Sequence, residues 1–421
     1  MEQPTQRPRM LVFDPAYTYQ MLMDRQLVST VTGRDLQGYF DHVWTVHTLA
    51  GLFLKDDDPA KYGVAESREL APGPTFIEGK IAYARKLRWI APLNLLIAQV
   101  KLMRYLFRII RENDITIIRS EEAWYNGLVA WITARRFRLP LVVGVWGDPS
   151  AIRARTGKPL MPRLLRWIWL EEAIERFVLR RADRVVVMDE HDRNFVISRG
   201  TPPERAKIFR IGNLLNERHF VDPKEREDGT ADLAELGADG AETLLCISRL
   251  ERLKLTDHVV RVLGLLKDRR PKAKVIFAGD GPQKPELEAL AEELGVRDRV
   301  IFAGNRDQAW LSRVAPKVSA VISPLTGRAL AEAALGEAPI VAYDIIWHAE
   351  IAHPGHSGEL VPNLDYEAMA DATERLLADP ERARELGRNA RRVVLDLLDL
   401  DKLRETQRTV HTELLEEWRR R

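Results

Sequence analysis

The sequence predicts an α/β protein made of two Rossmann-like domains, each built on a mostly parallel sheet. Its 421 residues exceed the usual size of a single domain and suit two domains of about 200 residues each. Short β-rich apolar runs alternate with longer helical patterns in both halves, as βαβ units do. The alternation pauses once, at the polar stretch 221–229, which contains Pro and Gly and is typical of an interdomain linker.

Ten apolar runs carry the strand prediction: 10–13, 43–46, 115–118, 141–145, 184–188, 244–247, 274–278, 300–302, 320–322 and 340–342. We place an N-terminal domain at 1–215 and a C-terminal domain at 216–400. We expect a final helix at 401–421 to pack back on the N-terminal domain. Because open parallel sheets bind ligands at the carboxyl ends of their strands, we expect the two domains to face a central cleft that holds the ligands.

Composition excludes several classes of protein. Apolar residues make up 45% and charged residues 30%, which is ordinary for a soluble globular chain. The single cysteine, Cys246, lies in an apolar run and is predicted to be a small core residue rather than a nucleophile. No apolar run approaches the roughly 20 residues of a membrane span. We therefore expect a cytoplasmic protein, which could associate peripherally with the inner face of the membrane.

Charge is distributed unevenly along the chain. Residues 1–213 hold 33 basic and 24 acidic side chains, a net of +9, whereas residues 214–421 hold 31 and 38, a net of −7. An anionic membrane surface or acceptor would therefore bind the first half. Two segments of that half, 96–111 and 161–170, combine basic and apolar residues as an interfacial membrane contact does. For both segments we favour packing of the apolar side chains on the core, with the basic side chains in solvent.

The segment Ser248-Arg249-Leu250-Glu251-Arg252-Leu253-Lys254 directly follows a predicted strand. Arg249 and Lys254 could both reach an anion at the carboxyl edge of the sheet. A diphosphate leaving group needs fixed positive charge when its bond to a sugar breaks. The alternative is a solvated Arg and Lys at an ordinary strand–helix turn.

A second segment, Gly327-Arg328-Ala329-Leu330-Ala331-Glu332, follows the predicted strand at 320–322. A glycine that opens a helix leaves backbone N–H groups free to bind a phosphate. The carboxylate of Glu332 could accept hydrogen bonds from two ribose hydroxyls, or it could simply be solvated. The turn Gly279-Asp280-Gly281-Pro282 is predicted to be structural, because Gly and Pro satisfy tight-turn geometry without a ligand.

The ordered set of these motifs resembles glycosyltransferase family four. The matching elements are Arg-Leu-x-x-x-Lys at 249–254, Gly-Asp-Gly-Pro at 279–282, Phe-x-Gly at 302–304, Glu-Ala-x-x-x-x-x-Pro at 332–339, and the junction segment 211–216 followed by Phe220. The resemblance covers about 100–395. It implies the GT-B fold and a retaining transfer from a UDP- or GDP-sugar to a saccharide or lipid-linked acceptor. It implies no metal and no cofactor, and we expect no nucleic-acid partner.

Carried over residue by residue, the resemblance gives each segment a role. Arg249 and Lys254 would hold the donor diphosphate and act in catalysis, and Glu332 would hold the ribose. The substrate-binding set is completed by the backbone at the distal phosphate, the turn near the base and one residue of the N-terminal domain: Gly327, Arg328, Ala329, Leu330, Gly304, Asn305 and Asp148.

This sequence departs from the family pattern at several positions. Pro324 stands where the family has a Glu that touches the transferred sugar, and Leu255 stands where a Gly usually follows the Lys. Trp146 lies about where many members carry a His. We expect transfer to survive Pro324, with a donor sugar that differs at the hydroxyl this Glu would have bound. The acidic run 56–58 is predicted to be a solvated turn rather than a metal site.

Two other functions remain compatible with the sequence. One is a nucleotide-sugar epimerase on the same fold, and the other is a catalytically silent nucleotide-sugar-binding protein, which Pro324 would suit. A nicotinamide dehydrogenase is disfavoured, because no Gly-x-Gly-x-x-Gly follows a strand.

Overall fold

The computed structural model of the chain describes residues 7–24, 27–52, 54–55, 58–70, 73–210, 215–345 and 347–421. The chain divides into two compact units. The N-unit comprises Met1–Ile211 together with Leu400–Arg421, and the C-unit comprises Gly212–Asp399. The acidic residues 56 and 57 and most of the junction segment, 211–214, lie outside the described residues.

The N-unit is built on an eight-stranded sheet in the order β3-β4-β2-β1-β5-β6-β7-β8. All neighbouring strands are parallel except β3, which pairs antiparallel with β4. The strands are β1 (Arg9–Phe13), β2 (His42–Ala50), β3 (Glu66–Glu69), β4 (Pro74–Lys80), β5 (Ile117–Ser120), β6 (Leu141–Val145), β7 (Arg184–Val187) and β8 (Ala206–Ile208).

Helices cover the sheet of the N-unit between its strands. They are α1 (Tyr19–Asp24), α2 (Ser29–Thr32), α3 (Ala91–Glu112), α4 (Tyr125–Phe137), α5 (Pro149–Thr156), α6 (Ile168–Arg181), α7 (Glu190–Ser198) and, from the end of the chain, α15 (Leu400–Arg420). Helix α15 belongs to this unit because it buries Val410, Leu414 and Leu415 against the strands. The buried ring of His411 also contacts Phe40 edge-to-face, with centroids 5.2 Å apart.

The C-unit is built on a six-stranded parallel sheet in the order β11-β10-β9-β12-β13-β14. Its strands are β9 (Glu242–Ile247), β10 (Ala273–Ala278), β11 (Val300–Gly304), β12 (Ala320–Ser323), β13 (Ile340–Tyr343) and β14 (Glu359–Val361). Its helices are α8 (Thr230–Glu235), α9 (Thr256–Leu266), α10 (Lys284–Glu293), α11 (Gln308–Val314), α12 (Arg328–Leu335), α13 (Tyr366–Ala378) and α14 (Pro380–Leu397).

Each of the ten predicted runs overlaps a strand, so the α/β class with two mostly parallel sheets is confirmed. The strands are apolar because helices cover both faces of a parallel sheet. Cys246 is fully buried in β9, and burial raises the pKa of its thiol to about 12, which makes it an inert core residue.

The polar stretch 221–229 is not the interdomain linker that its composition predicts. It lies inside the C-unit, whose first residue is Gly212. The guanidinium of Arg226 holds this stretch in place by donating to the carbonyl oxygens of His219, Val221, Ser312 and Leu335. Pro and Gly mark turns wherever they occur, and here the turn is fixed by one arginine rather than left between domains.

Helix α3 packs through a narrower face than its apolar residues predict. The basic face is exposed as expected, but Leu96 and Val100 are exposed too. The residues that it buries recur mostly at intervals of four: Asn94, Ala98, Leu102, Leu106, Ile109 and Ile110. The sequence contains more apolar side chains on this helix than the sheet can cover, so part of its apolar surface faces solvent.

Candidate functional site

Loops from five neighbouring strands meet at the carboxyl edge of the C-unit sheet. Backbone hydrogen bonds tie three of them together, because Ser248 N donates to Ala278 O at 3.2 Å and Gly279 N donates to Gly304 O at 2.9 Å. Leu250 N donates to Asp280 O at 3.1 Å. The segments after β9, β10 and β11 therefore form one continuous rim, and those after β12 and β13 extend it along the sheet.

Two glycines allow the loop after β10 to touch the loop after β9. A Cβ at Gly279 would lie 1.9 Å from Ser248 O, and one at Gly281 would lie 2.4 Å from Leu250 O. Both distances are far below any real contact with backbone atoms, which cannot swing away as a side chain can. The glycines of the Gly-Asp-Gly-Pro turn are therefore required by packing against 248–250, as the structural interpretation of this turn predicts.

The two predicted diphosphate-binding cations lie on this rim. Arg249 is exposed, and its Nη1 donates to Glu251 Oε1 at 2.8 Å. Lys254 ends a 3-10 turn, Arg252–Lys254, and is half-buried. The next residue, Leu255, has a φ of 55°, which is left-handed. The usual glycine of the family would adopt this conformation without strain, whereas a leucine costs about 1 kcal/mol.

Helix α12 begins at the same edge, directly after the loop that follows β12. Gly327 precedes it without a side-chain cap, and a Cβ there would meet nothing within 4 Å. Arg328 begins the helix and is exposed, Ala329 follows half-buried, and Leu330 is buried. Uncapped N–H groups at a helix start carry partial positive charge, so this end of α12 suits an anion.

Glu332 is held at the edge by a chain of polar side chains. It is only 5% exposed, and this burial raises the pKa of its carboxyl, which Arg328 and a hydrogen bond from Gln308 partly oppose. Gln308 Oε1 in turn lies 2.6 Å from Nε2 of the buried His219. If His219 donates to Oε1, the amide NH₂ of Gln308 is directed at Glu332, and the carboxylate keeps one face for another donor. The sequence motifs did not predict this series of hydrogen-bonded side chains.

Buried His348 fixes the loop in front of α12. Its Nδ1 lies 3.0 Å from Tyr343 O and its Nε2 lies 3.0 Å from Thr326 O. Burial lowers the pKa of His348, the two carbonyl contacts oppose that shift, and the charge of Lys254 adds to it. Lys254 is therefore close enough to the loop before α12 for its positive charge to lower the pKa of His348.

Pro324 is buried in that loop, between two hydroxyls. Ser323 Oγ and Thr326 Oγ1 are buried and have no hydrogen-bond partner among the described residues. Polar atoms buried without partners are uncommon in folded proteins and often mark a place where a ligand or water completes the bonding. Gly304 and the exposed Asn305 complete the same rim after β11.

Of the predicted site residues, Asp148 alone lies in the N-unit. It caps α5 by accepting a hydrogen bond from Ser150 N at 2.7 Å. It also lines a cavity at the carboxyl edge of the N-unit sheet.

In the described part of the chain, no group of three or more His, Cys, Asp or Glu side chains is arranged to hold a metal ion. No helix in those ranges is long and apolar enough to cross a bilayer.

Two family profiles match the chain, one on each side of the boundary between the units. Residues 29–212 match the family described as "Glycosyl transferase 4-like domain". Residues 230–393 match the family described as "Glycosyl transferases group 1". The chain belongs to the family-four glycosyltransferases. The resemblance drawn from the motifs is therefore confirmed, and so is the expectation that the protein is a glycosyltransferase.

Curated relatives and solved structures agree with this family. The chain is 26% identical over 271 residues to alpha-D-kanosaminyltransferase of Streptomyces kanamyceticus, covering 62% of this chain and 67% of that protein. It is 29% identical to D-inositol 3-phosphate glycosyltransferase of Nocardia farcinica, covering 63% and 60%. The chain thus spans about 60 to 67% of the length of these relatives.

The fold is shared with the Anabaena protein HepE, solved in complex with UDP. The TM-score is 0.71 at 17% identity, and the match covers 96% of this chain and 100% of that one. Such a likeness establishes the GT-B fold of this glycosyltransferase.

Proposed function

We propose that this glycosyltransferase transfers a sugar, with retention of anomeric configuration, from a UDP- or GDP-sugar to a saccharide or lipid-linked acceptor. The observation that carries the proposal is the meeting of Arg249, Lys254 and the uncapped start of α12 on one edge of the C-unit sheet. A breaking bond between a sugar and a diphosphate develops negative charge, which fixed cations and helix N–H groups stabilise.

Each part of a nucleotide-sugar has a matching group at this edge. Glu332 would accept hydrogen bonds from the ribose hydroxyls through the face of its carboxylate that Gln308 does not occupy. The backbone from Gly327 to Leu330 would bind the distal phosphate. Gly304 and Asn305 lie at the far side of the rim, where the base would sit. HepE binds UDP in a chain of the same fold, which supports a nucleotide donor.

The sugar itself would meet an unusual surface. Pro324 offers no carboxylate, but Ser323 Oγ and Thr326 Oγ1 beside it lack partners among the described residues. Both hydroxyls are buried, so the sugar hydroxyl that a Glu would have bound must find backbone, water or another side chain instead. Losing one orienting hydrogen bond costs a few kcal/mol at most, which is less than the whole electrostatic contribution of the cations. A deoxy, amino or uronic sugar is the donor class that this replacement favours.

Donor binding is expected to need no divalent metal, because Arg249, Lys254 and α12 supply the positive charge. UDP or GDP should bind the full chain in EDTA with an affinity within about threefold of that in excess Mg²⁺, since no metal contact is lost. Titration calorimetry with each nucleotide, with and without EDTA, measures this directly. Loss of all nucleotide binding in EDTA would contradict the proposal that the donor binds without metal.

The proposed partner of the N-unit surface is an anionic membrane. Helix α3 and the residues before it expose an apolar patch that we call the α3 patch, formed by Trp89, Ile90, Leu93, Leu96 and Val100. The same stretch of chain also exposes basic side chains: Arg85, Lys86, Arg88, Lys101 and Arg104. Trp167 and Trp169 form a second exposed apolar pair, 57% and 65% exposed. Apolar side chains together with Lys and Arg have the composition of an interfacial membrane contact.

Vesicle binding distinguishes these two surfaces. The chain should sediment with vesicles rich in phosphatidylserine at low salt and release as salt rises, because exposed charges are screened within about 10 Å at 0.1 M. Leu96→Ser should weaken binding if the α3 patch is the contact, and Trp169→Ser if the second pair is. Leu364→Ser, at an exposed apolar residue of the C-unit, is the control and should have no effect. Failure to bind both anionic and neutral vesicles at low salt would remove the membrane proposal.

A further inference from the structure

A cavity of about 230 Å³ lies at the carboxyl edge of the N-unit sheet. Its walls come from the loops after β1, β5 and β6 and from helices α5, α6 and α7. Four carboxylates line it, and none of its lining residues is a Lys, Arg or His: the acidic residues are Glu121, Glu122, Asp148 and Glu175. An overall basic half of the chain thus encloses an acidic cavity.

Two of the four carboxylates are already neutralised by arginines that lie behind the cavity wall. Arg119 Nε is 2.9 Å from Glu121 Oε1. Arg153 Nη2 is 2.8 Å from Glu175 Oε2. These pairs have their charge satisfied within the protein, and their role at the cavity is to fix its shape.

The other two carboxylates have no ion-pair partner in the described ranges. Glu122 is 5% exposed, and its Oε1 accepts hydrogen bonds from Asn126 N at 2.7 Å and Asn126 Nδ2 at 2.9 Å. Asp148 Oδ1 accepts from Ser150 N at 2.7 Å. Glu122 Oε2 and Asp148 Oδ2 have no hydrogen-bond partner among the described residues. Each side chain is thus anchored through one carboxylate oxygen at a helix start, and both residues line the cavity.

Burying the Glu122 carboxylate without a cation costs free energy, and a positively charged ligand could reduce that cost. Burial raises the pKa of its carboxyl to about 7, the hydrogen bonds from Asn126 oppose the shift, and the charges of Asp14 and Glu171 add to it. A buried carboxylate is disfavoured unless a positive charge and hydrogen-bond donors accompany it. An ammonium group in the cavity would provide both.

Two indole rings complete the walls. Trp124 Nε1 donates to Glu175 Oε2, and Trp146 Nε1 donates to Glu121 Oε2, both at 2.9 Å. These bonds anchor the rings by their polar edges, so that they contribute apolar surface to the cavity. Aromatic surface suits the C–H faces of a saturated ring and also attracts a cation.

We infer that this cavity binds a polyhydroxylated ring that carries a protonated amine, and that this amine-bearing ring is the acceptor. The assignment as acceptor rests on the proposed function, whereas the preference for an amine rests on the cavity alone. An ammonium group donates to Glu122 Oε2 and Asp148 Oδ2, and the ring packs on Trp124 and Trp146. A phosphorylated or carboxylated ring would be repelled by the two carboxylates that have no ion-pair partner, since no cation is among the lining residues.

The test compares three probes of similar shape on the full chain: glucosamine, glucose and glucose 6-phosphate. Calorimetry at pH 7 should give an affinity for glucosamine at least about 10-fold higher than that for glucose, because charged hydrogen bonds are roughly twice as strong as neutral ones. Glucose 6-phosphate should show no saturable binding. Saturable binding of glucose 6-phosphate at least as tight as that of glucosamine, or no binding of any of the three, would overturn the inference.

Isosteric variants test whether the Glu122 and Asp148 carboxylates cause the preference for glucosamine over glucose. Glu122→Gln and Asp148→Asn retain an oxygen that can accept the helix-start hydrogen bonds, and each should bring the affinity for glucosamine close to that for glucose. Glu190→Gln removes an exposed carboxylate of the N-unit outside the cavity and should preserve the preference. A preference that survives both cavity variants overturns the inference. If Glu122→Gln fails to fold, the half-buried Asp148→Asn still decides. Binding of UDP and of GDP, followed in the same samples, would fail for both nucleotides only if the proposed function is wrong.

Discussion

Replacing Arg249 or Lys254 by Ala should reduce turnover by about 100-fold or more. Both cations lie on the rim where the donor diphosphate would leave, and loss of one preorganised charge-stabilising group typically costs that much. Neither change should unfold the chain, because Arg249 is exposed and Lys254 is half-buried. Steady-state kinetics with the active donor, together with a thermal melt of each variant, separates an effect on turnover from an effect on folding.

Arg252→Ala is the matched control for that experiment. Arg252 lies in the same turn, but its guanidinium is 80% exposed and pairs with Glu286 at 2.9 Å. Exposed pairs of this kind contribute little to stability, so turnover and melting should both stay near those of the unaltered chain. Near-normal turnover in Arg249→Ala and Lys254→Ala, or an equal loss in Arg252→Ala, would show that the diphosphate site is assigned wrongly.

Gly279→Ala is expected to damage both the donor site and the stability of the C-unit. Its Cβ would lie 1.9 Å from Ser248 O, so the backbone of 248–250 would have to move. Overpacking of this kind costs about 1–3 kcal/mol, and here it also displaces the loop that bears Arg249. Nucleotide affinity should fall at least about 10-fold, and the urea midpoint of the C-unit should fall with it, as calorimetry and urea unfolding would show.

Gly264→Ala provides the comparison for an added methyl group. It lies within α9, and its Cβ would meet Leu294 Cδ1 at 3.0 Å, the end of a flexible side chain that can give way. Alanine also favours a helix over glycine by about 0.5–1 kcal/mol, which offsets that contact. Nucleotide binding should be unaffected in this variant. Normal nucleotide binding in Gly279→Ala would mean that the rim does not depend on the packing of its two loops.

The strands that could be predicted are those buried on both faces. Runs such as 141–145 and 244–247 are apolar throughout, since helices cover both sides of the sheet, and they stand out from the polar segments around them. Strand β3 is exposed along its whole length and reads Glu-Ser-Arg-Glu, so no apolar pattern marks it. Strand β4 contains Pro and Gly, which normally argue against a strand.

The candidate site divides in the same way. Arg249, Lys254 and Gly327 follow strands at fixed spacings, so the order of motifs along the chain was enough to place them at one edge. The hydrogen-bonded series of side chains from His219 through Gln308 to Glu332 begins with a pair about 90 positions apart, so no local sequence pattern marks it. The acidic cavity was missed because it depends on which carboxylates lack a partner, and counting charge along the chain predicts the opposite sign for this half.

The central claim is sugar transfer, and release of nucleoside diphosphate tests it most directly. The full chain would be incubated with a panel of UDP- and GDP-sugars, with and without amino sugars and lipid extracts as acceptors. We expect one donor to yield UDP or GDP only when an acceptor is present, in equal amount to the glycosylated product. Tight binding of nucleotide-sugars with no diphosphate released from any donor, or an isomerised donor without diphosphate, would contradict the claim.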